Sequence, residues 1–116
     1  MSLDPRLLRT PIDVLAYELA EEKASALGRM GRALEQALAK LREFDSAQSD
    51  SDASVSRKQV RRTLVREAGH ALWMLVVQRE ACGMRDTRTV MRTYNVPGEV
   101  QMCMTPILTS SMPAGR

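Results

Sequence analysis

The sequence predicts an all-α protein, in which a long antiparallel helical hairpin is followed by two short C-terminal helices and a second copy completes a helical bundle as a dimer. All five prolines lie outside residues 12–96, and helix interiors tolerate proline poorly. Within that interval, apolar residues recur at spacings of three and four. Aromatic residues make up only 3%, which is low for a β-sandwich. The 116 residues suffice for one domain, so residues 1–116 are assigned to a single helical domain.

The first helix is predicted over about residues 11–44. Thr10 suits the N-cap, Pro11 the first helical position and Asp13 the first turn. Gly28 and Gly31 lie off the main stripe and allow a bend or a close helix contact. Such a helix would be roughly 50 Å long, more than the roughly 35 Å across a compact domain of this size. The apolar stripe consists of Ile12, Leu15, Leu19, Ala26, Leu27, Met30, Leu34, Leu38, Leu41 and Phe44.

An acidic, serine-rich segment separates the first helix from the second. Residues 45–55 show no periodicity and are predicted to form a flexible loop, with a regulatory serine cluster as the alternative. The second helix is predicted over about residues 57–82. Ser56 and Gln59 would form its capping box, and Gly83 would follow its end.

Two short helices and a tail are predicted after Gly83. Asp86 caps a helix over about residues 87–94, and Asn95 stops it in a left-handed turn. Pro97 then begins a helix over about residues 97–104. Residues 105–116 are interpreted as a loose tail.

The hairpin register predicts a layer of charged residues. With Phe44 and Arg57 flanking the loop, paired residue numbers sum to about 101, by the spacing of an antiparallel hairpin. Arg79 then lies opposite Glu22, or failing that Glu18. A charged layer that fixes the register is one interpretation, and a ligand-binding carboxylate–guanidinium pair is the other. The layer would comprise Glu22, Lys23, Arg79 and Glu80.

The second helix is apolar on a second face as well, which is typical of a buried helix. The two short helices, roughly 28 Å together, cannot cover the whole hairpin. We therefore expect a homodimer, because two-fold self-association is the commonest way to bury such a surface. The candidate interface residues are Leu8, Val14, Tyr17, Trp73 and Val77.

A basic patch at the start of the second helix offers an alternative function. The chain carries a net charge of +3. The patch is either a solvated face, partly neutralised by neighbouring acids that include Asp45, or a phosphate-contacting surface. The helix after Asn95 provides only Gln101 as a base-reading side chain, so sequence-specific DNA recognition is not expected and nucleic acid is an unlikely partner. The patch comprises Arg57, Lys58, Arg61, Arg62 and Arg66.

The sequence offers no catalytic or metal-binding set. The segment from Arg66 to His70 resembles the zinc-protease pattern H-E-x-x-H, but Arg66 replaces the first histidine and His70 is the only histidine. On a helix, Met102 to Met104 cannot converge on one ion. Cys82 and Cys103 could pair, but a cytosolic chain usually keeps both reduced. We expect no cofactor, no metal and no enzymatic activity.

The location is predicted to be cytoplasmic. The longest unbroken apolar run is Ala71–Val77, too short to span a bilayer, so no membrane association is expected. Residues 1–10 contain no apolar secretory core.

Four segments resemble a small bacterial family of uncharacterised proteins: PIDVLAYE (11–18), ALGRMGR (26–32), LWMLVVQREACGMRD (72–86) and YNVPGEV (94–100). The resemblance covers roughly residues 11–104. It implies a domain of unknown function and transfers no site residue. The function expected from the residues is association, with itself and with an unidentified protein partner; the alternative is weak nucleic-acid binding through the basic patch.

Overall fold

The computed structural model describes residues 10–47 and 54–104, and within these ranges the chain is helical with no strand. The predicted all-α class and the long hairpin with two short C-terminal helices are confirmed. Leu8, most of the acidic loop and the tail at 105–116 lie outside the described residues. The four helices are α1 (Pro11–Ala47), α2 (Val55–Ala81), α3 (Thr87–Thr93) and α4 (Gly98–Met102).

Helix α1 begins where its cap predicts and ends three residues later than expected. The Asp13 N–H donates to Thr10 Oγ1 at 3.1 Å, and the Thr10 N–H donates to the Asp13 carboxylate at 3.3 Å. This reciprocal pair satisfies two N–H groups at the start of the helix. The last turn continues to Ala47 because Asp45 is held by a side chain of α2 and the Ser46 hydroxyl donates to the Arg42 carbonyl at 2.9 Å. At 37 residues, α1 is about 55 Å long.

Helix α2 begins two residues before the predicted start. Its N-cap is Ser54, whose hydroxyl accepts the Arg57 N–H at 3.2 Å, so the capping box predicted at Ser56 and Gln59 is wrong. Ser54 and Ser56 are both suitable N-cap residues, and the helix begins after the earlier of the two. The helix ends at Ala81, and Gly83 adopts a positive φ of 87° as predicted.

The two short helices are set by local turn chemistry. The Asp86 carboxylate accepts the Arg88 N–H at 3.1 Å and the Thr89 hydroxyl at 2.8 Å, and this hydroxyl contact lowers the pKa of Asp86. Asn95 takes the predicted left-handed conformation with φ of 52°. Pro97 is the N-cap of α4 rather than its first helical residue, and Met102 ends that helix two residues short of the predicted end.

The core is a seam between α1 and α2, covered on one side by the segment that contains α3 and α4. Two glycines allow this close cover. A Cβ built on Gly31 would lie 2.6 Å from the Tyr94 hydroxyl, and one built on Gly69 would collide with the Cys103 carbonyl. The buried core comprises Leu34, Leu38, Leu41, Val65, Ala68, Leu72, Leu75, Val76, Val90, Val96 and Val100.

The N-terminal segment of α1 (residues 11–22) departs from the prediction. Ile12, Leu15 and Leu19 continue the apolar stripe, but they are 77%, 64% and 55% exposed. The reason is the shorter partner helix, since α2 ends at Ala81 and the chain turns away at Gly83. No described residue therefore covers this part of the stripe, although the periodicity continues through it.

Candidate functional site

The predicted basic patch contains residues with partners in the described part of the chain and residues with no ion pair there. The Arg57 guanidinium lies 4.3 Å from the centroid of the Phe44 ring and donates to the Phe44 carbonyl at 3.3 Å. Arg61 binds two carboxylates at once. These two side chains therefore fasten the second helix to its neighbours.

Arg61 forms an ionic clasp with Asp45 at the end of α1 and Glu99 in α4. Its Nε and Nη2 donate to Asp45 at 2.8 and 3.0 Å, and its Nη1 and Nη2 donate to Glu99 at 2.8 and 2.7 Å. Both contacts are bidentate, the strong geometry for a guanidinium–carboxylate pair. The hydrogen bonds from Arg61 lower the pKa of Asp45 and of Glu99, and those two carboxylates raise the pKa of Arg61. One side chain thus joins three helices.

Replacing Arg61 by glutamine is expected to lower the free energy of unfolding by about 1–2 kcal/mol at pH 7. This is the usual contribution of hydrogen bonds between charged groups, reduced because the Arg61 side chain is partly exposed. The pKa values of Asp45 and Glu99 are lower in the folded protein than in the unfolded chain, where they are near 4. The stabilisation is therefore complete above about pH 4 and is lost as the pH falls through the pKa values of the folded protein. Urea unfolding at pH 7 and at pH 3 measures both effects. The control is Arg62→Gln, which has no ion pair in the described ranges. Equal losses for Arg61→Gln at the two pH values would contradict the ionic account.

The remaining basic residues form a row along α2. Lys58, Arg62 and Arg66 follow one another at intervals of four, so they lie on one ridge of the helix, and all are exposed. No salt bridge in residues 10–47 and 54–104 involves them. This row is the part of the predicted patch that is available to a partner.

A groove of about 470 Å³ runs between this row and α4. Val65, Cys103 and Met102 supply its apolar surface, and Met102 is 86% exposed. The groove therefore combines an apolar surface with positively charged edges. Its lining residues are Arg61, Arg62, Val65, Arg66, Glu99, Met102 and Cys103.

The predicted charged layer is not assembled in the part of the chain that the structure describes. Glu22 accepts a hydrogen bond at 3.3 Å from Arg29 on its own helix. Arg79 donates to the Asp86 carbonyl at 3.5 Å. The physical reason is that α2 ends at Ala81, so Arg79 belongs to its last turn and reaches the segment that follows. Lys23 is half-buried in a cleft beside Ala81 and Cys82, and Glu80 is exposed.

The predicted interface residues that the structure describes differ in their exposure to solvent. Tyr17 and Val77 are exposed, at 46% and 42%, while Val14 and Trp73 are half-buried. Trp73 stacks on His70, with ring centroids 6.3 Å apart and planes 17° apart. Their role in a dimer interface stays a prediction.

The groups considered for chemistry or base reading lie apart or have internal partners. Among the described residues, no three His, Cys, Asp or Glu side chains are grouped to hold a metal ion. Cys82 and Cys103 are half-buried free thiols. The Gln101 side chain donates to the Val96 carbonyl at 3.0 Å, so the amide suited to a base is engaged within the fold. No helix in residues 10–47 and 54–104 is long and apolar enough to cross a membrane.

Sequence reasoning found only part of the clasp and of the two close contacts. It predicts that acids such as Asp45 partly neutralise the basic patch, but Glu99 is 38 residues from Arg61 and no local pattern indicates that contact. Gly69 carried a weak signal, because a lone glycine inside a helix costs stability and usually has a packing reason. The sequence predicts that Gly31 permits a close contact, but it does not indicate that the partner is Tyr94.

These features define an all-α protein built on a long helical hairpin, with a basic groove formed against its short fourth helix. The chain belongs to DUF6665, a family of unknown function, whose model matches residues 9–112. No curated protein sequence is significantly similar to the chain. No solved structure matches it either.

Proposed function

We propose that the protein functions by association and that its first partner is a second copy of itself. The observation that carries this proposal is the exposed apolar stripe of the N-terminal segment of α1. Ile12, Leu15 and Leu19 continue the row that is buried farther along the same helix, and no described residue covers them. Large side chains arranged in such a row are typical of an interaction surface.

Burial of the exposed apolar stripe against a partner would be energetically favourable. Burying a leucine or isoleucine side chain is worth about 1.5–3 kcal/mol, so three exposed ones represent a substantial driving force for association. A second copy is the simplest cover, because it supplies a matching surface at the same concentration and closes under two-fold symmetry. A different protein that covers the same stripe is the other form of association.

The proposed setting is the bacterial cytoplasm. There Cys82 and Cys103 would stay reduced, in keeping with their free thiols. The proposal assigns no catalysis, metal or cofactor to the chain.

Sedimentation equilibrium is expected to give twice the chain mass of 13.0 kDa at micromolar concentration. The variant Leu15→Glu/Leu19→Glu should shift the protein to the monomer mass, because it places charges on the stripe while keeping a helix-forming residue. The matched control is Val60→Glu, an exposed apolar position on α2 that should leave the mass unchanged. A wild-type species at 13.0 kDa at every concentration would contradict self-association.

Weak nucleic-acid binding is the second candidate, favoured by the row of Lys58, Arg62 and Arg66, which forms no ion pair within the described ranges. Three cations can neutralise about three phosphates, which gives a shallow salt dependence. Added salt should weaken such binding, whereas an apolar self-interface should persist.

A further inference from the structure

We infer that the N-terminal segment of α1 from one copy docks into the groove between α2 and α4 of a second copy, with its carboxylates against Arg62 and Arg66. This inference rests on the proposed self-association and names the two surfaces that pair. It is carried by the opposite charge of the two surfaces and by the apolar side chains that each presents.

The segment is an acidic amphipathic helix. Between Thr10 and Glu22 the chain contains four acidic residues and no basic one. Glu18 and Glu22 are exposed and lie one turn apart, next to the row formed by Leu15 and Leu19. One edge of the exposed stripe is therefore lined by carboxylates. The contact of Glu22 with Arg29 is itself exposed and leaves this edge open to solvent.

The groove is apolar with positively charged residues at its edge, and the one carboxylate among its lining residues, Glu99, is paired with Arg61. Arg62 and Arg66 are exposed and lie one turn apart on α2, without an ion pair in the described ranges. Beside them lie Val65 and the exposed side chain of Met102. The segment thus presents apolar side chains beside carboxylates, and the groove presents apolar side chains beside guanidinium groups. The two surfaces are complementary in both respects.

The spacing of the two surfaces also agrees. Residues four apart on a helix are separated by about 6 Å along the axis, so the two carboxylates and the two guanidinium groups have the same repeat. Leu15 and Leu19 on one side, and Val65 on the other, lie within one helical turn of these charges. Both contacts can therefore form together when the helices lie side by side.

The N-terminal segment of α1 cannot reach the groove of its own chain. The groove begins beside Arg61, which binds Asp45 at the far end of α1 from Leu15. Thirty residues of continuous helix separate Leu15 from Asp45, a distance of about 45 Å. A two-fold axis across the middle of the hairpin brings each segment to the groove of the other copy, so the contact forms twice and the assembly closes as a dimer.

A charge exchange in the full-length protein tests this pairing. Arg62→Glu/Arg66→Glu alone and Glu18→Arg/Glu22→Arg alone should each raise the dimer dissociation constant at least about 100-fold, because like charges then face each other. An equimolar mixture of the two variants should recover the wild-type constant to within about 10-fold, since every groove then meets a segment of opposite charge. Recovery in the mixture also shows that both variants are folded. The controls reverse two exposed charges elsewhere on α1, Arg32→Glu/Arg42→Glu and Glu35→Arg/Glu43→Arg.

The other outcomes overturn the inference in distinguishable ways. If the wild type dimerises and the charge variants dimerise equally well, the dimer uses another surface and self-association alone survives. If the variants are monomeric and the mixture stays monomeric, the two surfaces do not pair with each other. If the wild type forms species that grow with concentration, the contact is head-to-tail, and the inferred closed two-fold dimer is wrong. A monomeric wild type refutes the proposed function and this pairing together.

Discussion

Replacement of Leu72 by alanine is expected to lower the free energy of unfolding by about 2–5 kcal/mol. Leu72 is fully buried in the seam, at 0% exposure, with Leu34 and Ala68 in the same core. Removing its isobutyl group loses the hydrophobic transfer energy and leaves a cavity that two rigid helices cannot fill. Urea denaturation at one fixed protein concentration measures the change, because association also contributes to apparent stability.

Val60→Ala is the control for this measurement. Val60 is 48% exposed on the same helix, so its truncation should change the free energy of unfolding by less than about 0.5 kcal/mol. Similar losses for the two variants would mean that Leu72 does not lie in the principal core.

Gly69→Ala is expected to destabilise the protein by about 1–3 kcal/mol, opposite in sign to the usual effect of alanine in a helix. The new methyl group would lie 2.7 Å from the carbonyl carbon of Cys103 and 2.9 Å from its Cβ. Because the obstacle includes backbone, the segment after α4 must move away from α2. This displacement would also loosen Val100 and the contact between Glu99 and Arg61.

The matched control is Gly28→Ala in α1. There the added methyl group meets only the flexible end of Arg32, at 3.3 Å. Relief of the glycine penalty should stabilise the protein by about 0.5–1 kcal/mol. Thermal or urea unfolding of the two variants side by side gives the comparison. Stabilisation by both substitutions would contradict the close packing at Gly69.

Local signals in the sequence predicted much of the helical framework. Thr10, Gly83 and Asn95 act through their own backbone or through residues within one turn, so their roles could be identified without knowing the fold. The start of α2 was placed wrongly because Ser54 and Ser56 are both suitable N-caps and lie close together.

The site was less predictable because it depends on what lies next to each helix. The apolar stripe of α1 is equally periodic at Leu15 and at Leu34, but only Leu34 is buried, since α2 ends before it reaches Leu15. Arg61 and Arg62 are chemically identical neighbours in the sequence. Only the fold shows that Arg61 binds Asp45 and Glu99, whereas Arg62 has no ion pair in the described ranges.

The unbroken course of α1 also makes it a spacer of fixed length. Its backbone hydrogen bonds run without interruption from Pro11 to Ala47, so the two ends of the hairpin are held about 55 Å apart and cannot fold toward each other. Sharp kinks usually occur at proline, and α1 contains none after its first residue. Gly28 and Gly31, which allow a bend, lie within its continuous run of helix. The length of α1 thus sets the distance between the two ends of the hairpin.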